Sequence, residues 1–366
     1  MLRELDKKDT AILKGLAIAA IVFHNFFHLV IPVHENEFSF DPARFSVFLH
    51  YFVHPATTIQ SFFAFYGHFG VQVFIFLSAY GLAKTHWDDT ESWSSFMWNR
   101  IKKLYPMFGL AVLFWALLAI IQIGPVNLIK GSGLEIMCML AGFSTLVPGM
   151  GFPPIGPWWF IPFIMQFYVL WPLLRKLTMK LGWPALVVLS IACYAIAHYA
   201  NPVLGHWSIS LAMTPIGRMR VICLGIIAAR YPIRINAYLA IPAFAIMILG
   251  SEIHDLAHFT SLAVVVLTLW LYIKAQPLLR RFRSLEQIGN YSLAIFLLNG
   301  IVRVPFLSFV TTPFSQIALA CASAAVTLAL STFFSYLVEE FPKVAAAPVE
   351  VPVTWRESSP AKVAAD

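Results

Sequence analysis

"LKGLAIAAIVFHNFFH" (residues 13–28) is an apolar run with Lys14 near its start and His24, Asn25 and His28 near its end. A helix needs roughly 20 apolar residues to cross a bilayer. Polar and ionisable side chains at that depth are costly and normally face a protein interior or a wet cavity. Composition decides which solvent applies. The 366-residue chain is 59% hydrophobic and 12% charged, with a mean hydropathy of +0.76. Soluble domains carry about 25% charged residues, so water is not its main solvent. The 32 Phe and 11 Trp suit lipid-facing helices with aromatic belts at their ends. No charged leader with a cleavage-like site precedes the run, so the first apolar segment is expected to be retained as a helix.

Ten stretches qualify as candidate spans: 12–31, 67–84, 104–124, 157–175, 183–199, 209–229, 236–250, 257–275, 288–310 and 315–338. The seventh is short, and an apolar patch at 134–147 is shorter still. Residues 44–66, aromatic but interrupted by Pro55 and a polar centre, read as an interfacial or re-entrant segment. The basic residues alternate with this count. With both termini cytoplasmic, the inside loops and tails hold Arg3, Lys7, Lys8, Lys14, Lys84, Arg100, Lys102 and Lys103. They also hold Arg175, Lys176, Lys180, Arg230, Arg234, Lys274, Arg280, Arg281, Arg283, Lys343, Arg356 and Lys362, which makes 20 of the 25 Lys and Arg. Outside loops hold Arg44 and Lys130, while Arg218, Arg220 and Arg303 lie within spans. That is the positive-inside pattern of an even number of helices. The net charge of +7 is therefore orientation charge, which argues against a nucleic-acid partner.

The expected fold is all-α, a polytopic transmembrane bundle of about ten spans in residues 1–342. Residues 343–366, rich in Ala, Pro and Val, read as a flexible cytoplasmic tail. No repeat of 20–50 residues is apparent. Cys138, Cys193, Cys223 and Cys321 are scattered, form no CxxC pair or metal spacing, and read as small packing residues.

On an ideal helix His24 and His28 are about 40° apart and share a face, with Lys14 roughly 15 Å below His24. Three readings of the histidines compete. They pack against neighbouring helices, they form an H-x-x-x-H metal pair, or one is a general base with a pKa near neutral. The metal reading lacks a third ligand and an HExxH glutamate, and no metal is expected. Sequence position leaves packing and catalysis both open.

Other segments carry related features. "GHFGVQVFIFLSAYGL" (67–82) places Gly67 and Gly70 around His68 and Ser78 in mid-span. "WNRIKKLYPMF" (98–108) sets Arg100, Lys102 and Lys103 ahead of Tyr105-Pro106, either as plain inside charge or as a cradle for an anionic cofactor. "GPWWFIPFIMQFYVLWPLL" (156–174) carries Gln166 and Tyr168 after a Trp pair that by itself reads as interfacial anchoring. An arginine at a helix centre costs about 2.5–3.5 kcal/mol on insertion scales, so Arg218 and Arg220 need acidic, phosphate or carbonyl partners or a wet cavity. Asn299 and Arg303 lie in the ninth stretch, and Glu340 in "SYLVEEFP" (335–342) closes the tenth.

Taken in order, "KGLAIAAIVFH", "GHFGVQVFIFLSAYGL", "RIKKLYPMF", "WWFIPFIMQFYVLWPLL", "RVICLGIIAAR", "IGNYSLAIFLLNG" and "LVEEFP" resemble the acyltransferase-3 family of integral-membrane acyltransferases, from Lys14 to Pro342. The resemblance implies transfer of an acyl group, usually acetyl from acetyl-CoA, to a sugar hydroxyl of a cell-envelope or exported glycan or lipid-linked sugar. It implies a location in the bacterial inner (plasma) membrane. The family's first-helix histidine maps to His24, the expected catalytic residue, and Arg100 is expected in the active region or at the coenzyme. Asn299 stands where family members often have histidine, and Gln166 where the region is often acidic.

On this reading Lys14, Arg100, Lys102, Lys103 and Tyr105 are the candidate acyl-CoA-binding residues, because phosphates are held by Arg forks and Lys point charges. His28, Asn25, Arg218, Arg220 and Glu340 are candidate supporting residues. Arg218 or Arg220 steadies an oxyanion or binds an anionic acceptor, or else pairs structurally with Glu340 or a carbonyl. The rival class is a transporter or flippase of a glycan or small molecule, which predicts inverted repeats with interrupted helices. No such halves are visible. The oligomeric state is not legible from the sequence.

Overall fold

The computed structural model describes residues 4–231 and 233–339. Glu340 and the 343–366 tail lie outside them. The described residues form helices and no strands. The first half comprises α1 (Lys7–Phe27), α2 (Ala43–Phe52), α3 (Thr58–Tyr66), α4 (Gly70–Thr85), α5 (Trp93–Ile123), α6 (Pro125–Leu140) and α7 (Phe160–Leu181). The second comprises α8 (Trp183–Gly205), α9 (Pro215–Arg230), α10 (Ala237–Leu249), α11 (His254–Leu279) and α12 (Arg283–Asn290). It ends with α13 (Ser292–Val302), α14 (Val304–Leu307) and α15 (Pro313–Glu339).

Seven helical stretches are long and apolar enough to cross a bilayer: Lys7–Phe27, Thr58–Thr85, Trp93–Ile123, Gly156–Leu181, Trp183–Gly205, His254–Leu279 and Pro313–Glu339. The other three sequence candidates coincide with helices of 16, 13 and 11 residues, α9, α10 and α13. Two of these are shortened for local reasons. In 209–229 the helix begins only at Pro215, because Thr214 is extended ahead of a proline that has no N–H to give. The 288–310 stretch is broken at Tyr291 and again at Arg303, ahead of Pro305.

Residues 44–66 also differ from expectation. They form two helices separated at 53–57, and α3 runs through a 3-10 turn (Gly67–Phe69) into α4, so their second half belongs to a span-length stretch.

α1 is the hub. It packs against α3, α4, α11, α12, α13 and α15, and 67% of its apolar window is buried against 17% for α8. α5, α8, α10, α11 and α15 instead present exposed large side chains such as Ile121, Val188, Ile241 and Leu271. That is how a bundle looks when lipid rather than water faces its perimeter. Close approach to α1 is made possible by glycine. A Cβ on Gly67 would lie 2.7 Å from the Ala20 carbonyl oxygen, and one on Gly289 would lie 1.8 Å from that of Ala11.

The start of α1 is fixed chemically. Asp6 and Asp9 form a reciprocal capping box. Buried Asp9 Oδ1 also accepts from Tyr272 Oη (2.6 Å), Gln276 Nε2 (2.9 Å) and Arg280 Nη1 (3.0 Å), which staples α1 to α11.

Candidate active site

A layer of imidazoles sits near the C-terminal end of α1. His24 Nδ1 lies 3.0 Å from the Ala64 carbonyl oxygen and 3.2 Å from that of Phe63, and His28 Nδ1 lies 2.8 Å from the His24 carbonyl oxygen. A carbonyl only accepts, so both Nδ1 atoms carry the proton and both neutral rings leave the lone pair on Nε2. Among the described residues no protein group bonds to His24 Nε2. The rings are stacked, 4.8 Å apart and 15° from parallel, with the His68 ring 5.5 Å from that of His24. His24 is 6% exposed and His68 3%, and among the described residues neither nitrogen of His68 has a protein partner.

Across the interface with α13, Asn25 Nδ2 donates to Asn299 Oδ1 (2.8 Å), Asn299 Nδ2 donates to the Phe296 carbonyl oxygen (2.7 Å), and Arg303 Nη1 donates to the Asn25 carbonyl oxygen (2.6 Å). Asn25, Asn299 and Arg303 are thereby each held by at least one partner, while the buried Arg303 Nε has none among the described residues. Glu35, in the loop after α1, feels the charge of the imidazole layer. Burial pushes its carboxyl up, and the positive charge that His24 and His68 carry when protonated pulls it, on balance, below the ordinary carboxylate value.

At the other end of α1 a narrow cavity of about 170 Å³ is lined by Lys14, Arg100 and Lys103, and continues along Ser78, Tyr168 and Phe296. Arg100 is held in place from two sides. Its guanidinium lies over the Phe96 and Tyr168 rings at 5.0 and 5.7 Å, and Nη2 donates to His86 Nε2, while His86 Nδ1 donates to Asp89. Arg175 Nη1 donates to the Asp89 carbonyl oxygen at 2.7 Å and closes the support. Lys102 and Tyr105 stand outside the cavity. Lys102 is exposed over Trp98, and Tyr105 donates to the Leu140 carbonyl oxygen, tying α5 to α6.

His86, Asp89 and Glu91 are near enough together for a metal ion. Both ring nitrogens of His86 are engaged, Glu91 accepts from Ser95 and Asn99, and two arginines crowd the group, so its chemistry is that of a support for Arg100.

A second, wider cavity of about 500 Å³ opens at the C-terminal end of α1, lined by His68, Glu37, Arg218, Arg220, His258 and Asn201 among others. Arg218 and Glu37 form an ion pair at 2.8 Å with side chains 6% and 5% exposed. Arg218 Nε also donates to the Ala212 carbonyl oxygen (2.7 Å), and the guanidinium lies 5.8 Å from both the Phe38 and the Trp159 rings. Burial raises the Glu37 carboxyl to about 7 against the pull of Arg218. The partner of Arg218 is thus a loop glutamate and a carbonyl. Arg220 does not share that partner. Trp158 and Trp159 are not interfacial anchors but core residues, and Trp158 Nε1 donates to the Leu297 carbonyl oxygen at 2.9 Å.

A family model described as an acyltransferase domain matches residues 8–336, nearly the whole chain. The chain belongs to the acyltransferase-3 family. This acyltransferase is therefore a membrane-embedded enzyme built from apolar helices. Neither a curated protein nor a solved structure gives a significant match. Lys14, Arg100 and Lys103 come together around one cavity; His24, His28, Asn25 and Asn299 come together on the α1–α3–α13 side; Arg218 and Arg220 line the other cavity.

Sequence reasoning missed Glu37, Glu35, and the engagement of His68 with His24. A signal for Glu37 existed. Two glutamates in the loop after the first apolar run, and an arginine that had to find a partner within its own apolar stretch, are a complementary pair waiting to be matched.

Proposed function

We propose that this acyltransferase moves an acyl group, acetyl being the expected one, from acyl-CoA to a hydroxyl of a glycan or lipid-linked sugar of the cell envelope or an exported polysaccharide. The N-terminal end of α1 faces the cytoplasm of a bacterium, across its inner membrane. The reading rests on one arrangement: Lys14, near the start of α1, lines the cation-rich cavity, His24 with a free Nε2 lies near the other end of the same helix, and His68, whose ring is 5.5 Å from that of His24, lines the wider cavity. Lys14, Arg100 and Lys103 hold the coenzyme phosphates at the basic mouth, and the pantetheine arm follows Tyr168 and Phe296 inward.

The acceptor hydroxyl enters from the wide cavity. His24 Nε2 takes its proton as the oxygen attacks the thioester carbonyl carbon. Collapse of the tetrahedral oxyanion breaks the C–S bond, and the coenzyme thiolate recovers the proton from His24. The Ala64 and Phe63 carbonyls fix the tautomer and stabilise the imidazolium that forms between these two proton transfers.

Acetyl transfer in membrane vesicles supplied with labelled acetyl-CoA tests this. His24→Ala should lower the rate by about 10²–10⁴-fold, the usual range for a positioned general base, while coenzyme binding persists and His28→Ala costs less. A folded His24→Ala protein with full activity removes His24 as the base. Absence of any CoA-thioester binding removes the donor assignment.

A further inference from the structure

The two arginines of α9 have opposite circumstances. Arg218 is neutralised by Glu37 and a backbone carbonyl. Arg220, two residues on, has as its only protein acceptor among the described residues the Gly217 carbonyl oxygen at 3.5 Å, and its buried Nε has none. The Tyr194 and Phe259 rings, 5.4 and 5.9 Å from its guanidinium, hold the group in place without neutralising it. It lines the wide cavity, where Glu37, already committed, is the one carboxylate among the described lining residues.

Other donors accompany it. His258 has a buried Nε2 without a partner among the described residues, and its ring stands 5.9 Å from that of His198. Asn201 uses its Oδ1 to accept from the Leu211 amide (3.0 Å), which leaves its N–H groups as donors in the same cavity. These histidines suit a cation poorly, because the Arg220 guanidinium beside them repels it. The cavity volume lies within the roughly 300–1,000 Å³ of small-molecule sites.

We propose that Arg220, with His258, His198 and Asn201, forms an anion subsite, and that the acceptor is a sugar bearing a phosphate or carboxylate group. This rests on the wide cavity being the acceptor site. A neutral glycan leaves a partly buried guanidinium without a counter-charge, whereas a phosphate or carboxylate takes two parallel N–H bonds from the fork and lowers the cost of the uncompensated charge.

The test is ligand-induced thermal stabilisation of the full chain in lipid nanodiscs without any acyl donor, titrated with glucose 1-phosphate, glucuronate, glucose and inorganic phosphate. Glucose 1-phosphate or glucuronate should stabilise the wild type saturably and bind at least about tenfold more weakly to Arg220→Gln, the loss of one charge-assisted pair. Arg220→Lys should retain part of the affinity, and glucose should bind weakly to all three. The tighter of the two charged sugars identifies phosphate or carboxylate as the source of the charge.

Unchanged affinity in Arg220→Gln, or glucose binding the wild type as tightly as both charged sugars, overturns the proposal. So does inorganic phosphate binding as tightly as either charged sugar, since the site then recognises a bare ion. If Arg220→Gln does not fold, Arg220→Lys and His258→Gln carry the same comparison. Because no donor is present, a failure of acyl transfer and a failure of anion binding are read separately.

Discussion

The two cavities at the ends of α1 handle buried charge in opposite ways. The narrow one gathers three cations with no carboxylate among its described lining residues, and positions its arginine through aromatic rings and a histidine. The wide one binds its first arginine into an ion pair and leaves its second over two rings. In the first, no carboxylate among the described lining residues neutralises the cations. In the second, the side chains of Arg218 and Glu37 are 6% and 5% exposed, where either of them alone would lose several kcal/mol of hydration. Glu37 and Arg218 therefore serve the architecture, while Lys14, Arg100 and Lys103 are available for binding.

Breaking the ion pair should have the largest effect on stability. Arg218→Met should destabilise the protein by about 3–5 kcal/mol, because Glu37 is left buried without a counter-charge. The double change Arg218→Met with Glu37→Met should recover much of that loss. Chemical denaturation in detergent reads both, and a single substitution costing less than about 1 kcal/mol would place Arg218 among the free cations instead.

A smaller effect is expected at the narrow cavity. Arg100→Ala should weaken acetyl-CoA binding by about 10–100-fold, the loss of a charge-assisted contact of about 1.5–3 kcal/mol, and leave binding of charged sugars unchanged. Equilibrium binding of both ligands to the same preparation checks the separation; an equal loss of both would merge the two cavities into one functional unit.

The smallest effect is a pH slope. Burial raises the Glu37 carboxyl to about 7, so between roughly pH 4.5 and 7 the folded protein binds a proton that the unfolded chain has released. Its contribution to stability is therefore fully present below that window and is lost as pH rises through about 7. Glu37→Gln should flatten this part of the melting-temperature profile, and an unaltered slope would assign it to other groups.

The narrow cavity was largely legible in the sequence. Lys14 marks the start of an apolar helix, and Arg100 and Lys103 lie within one turn of each other ahead of Tyr-Pro; charge pattern put all three on one side, and the family resemblance grouped them as a coenzyme site. Spacing did not reveal that Lys102 and Tyr105 turn away from it. The wide cavity was not legible, because Glu37, His68, Asn201, Arg220 and His258 come from a loop, a 3-10 turn and three different helices. Hydropathy reports that each is polar in an apolar neighbourhood and nothing about which others it meets. The same limit applies to the 288–310 stretch, whose breaks at Tyr291 and Arg303 are invisible to an apolar count.

For "LKGLAIAAIVFHNFFH" the division is sharp. The sequence by itself determined that the segment is an apolar helix with a cation at one end and two imidazoles on one face at the other, since helical period and hydrophobicity are local properties of the chain. It also carried the family, through the order of its motifs. Only the tertiary structure decided which nitrogen of His24 holds the proton, because the Ala64 and Phe63 carbonyls that fix it lie some forty residues away. It alone decided which arginine is neutralised, because Glu37 and Arg218 are 181 residues apart and meet only when the loop folds back over α9. Hydrogen bonds and ion pairs are short-ranged and directional, so their partners are chosen by packing rather than by order along the chain.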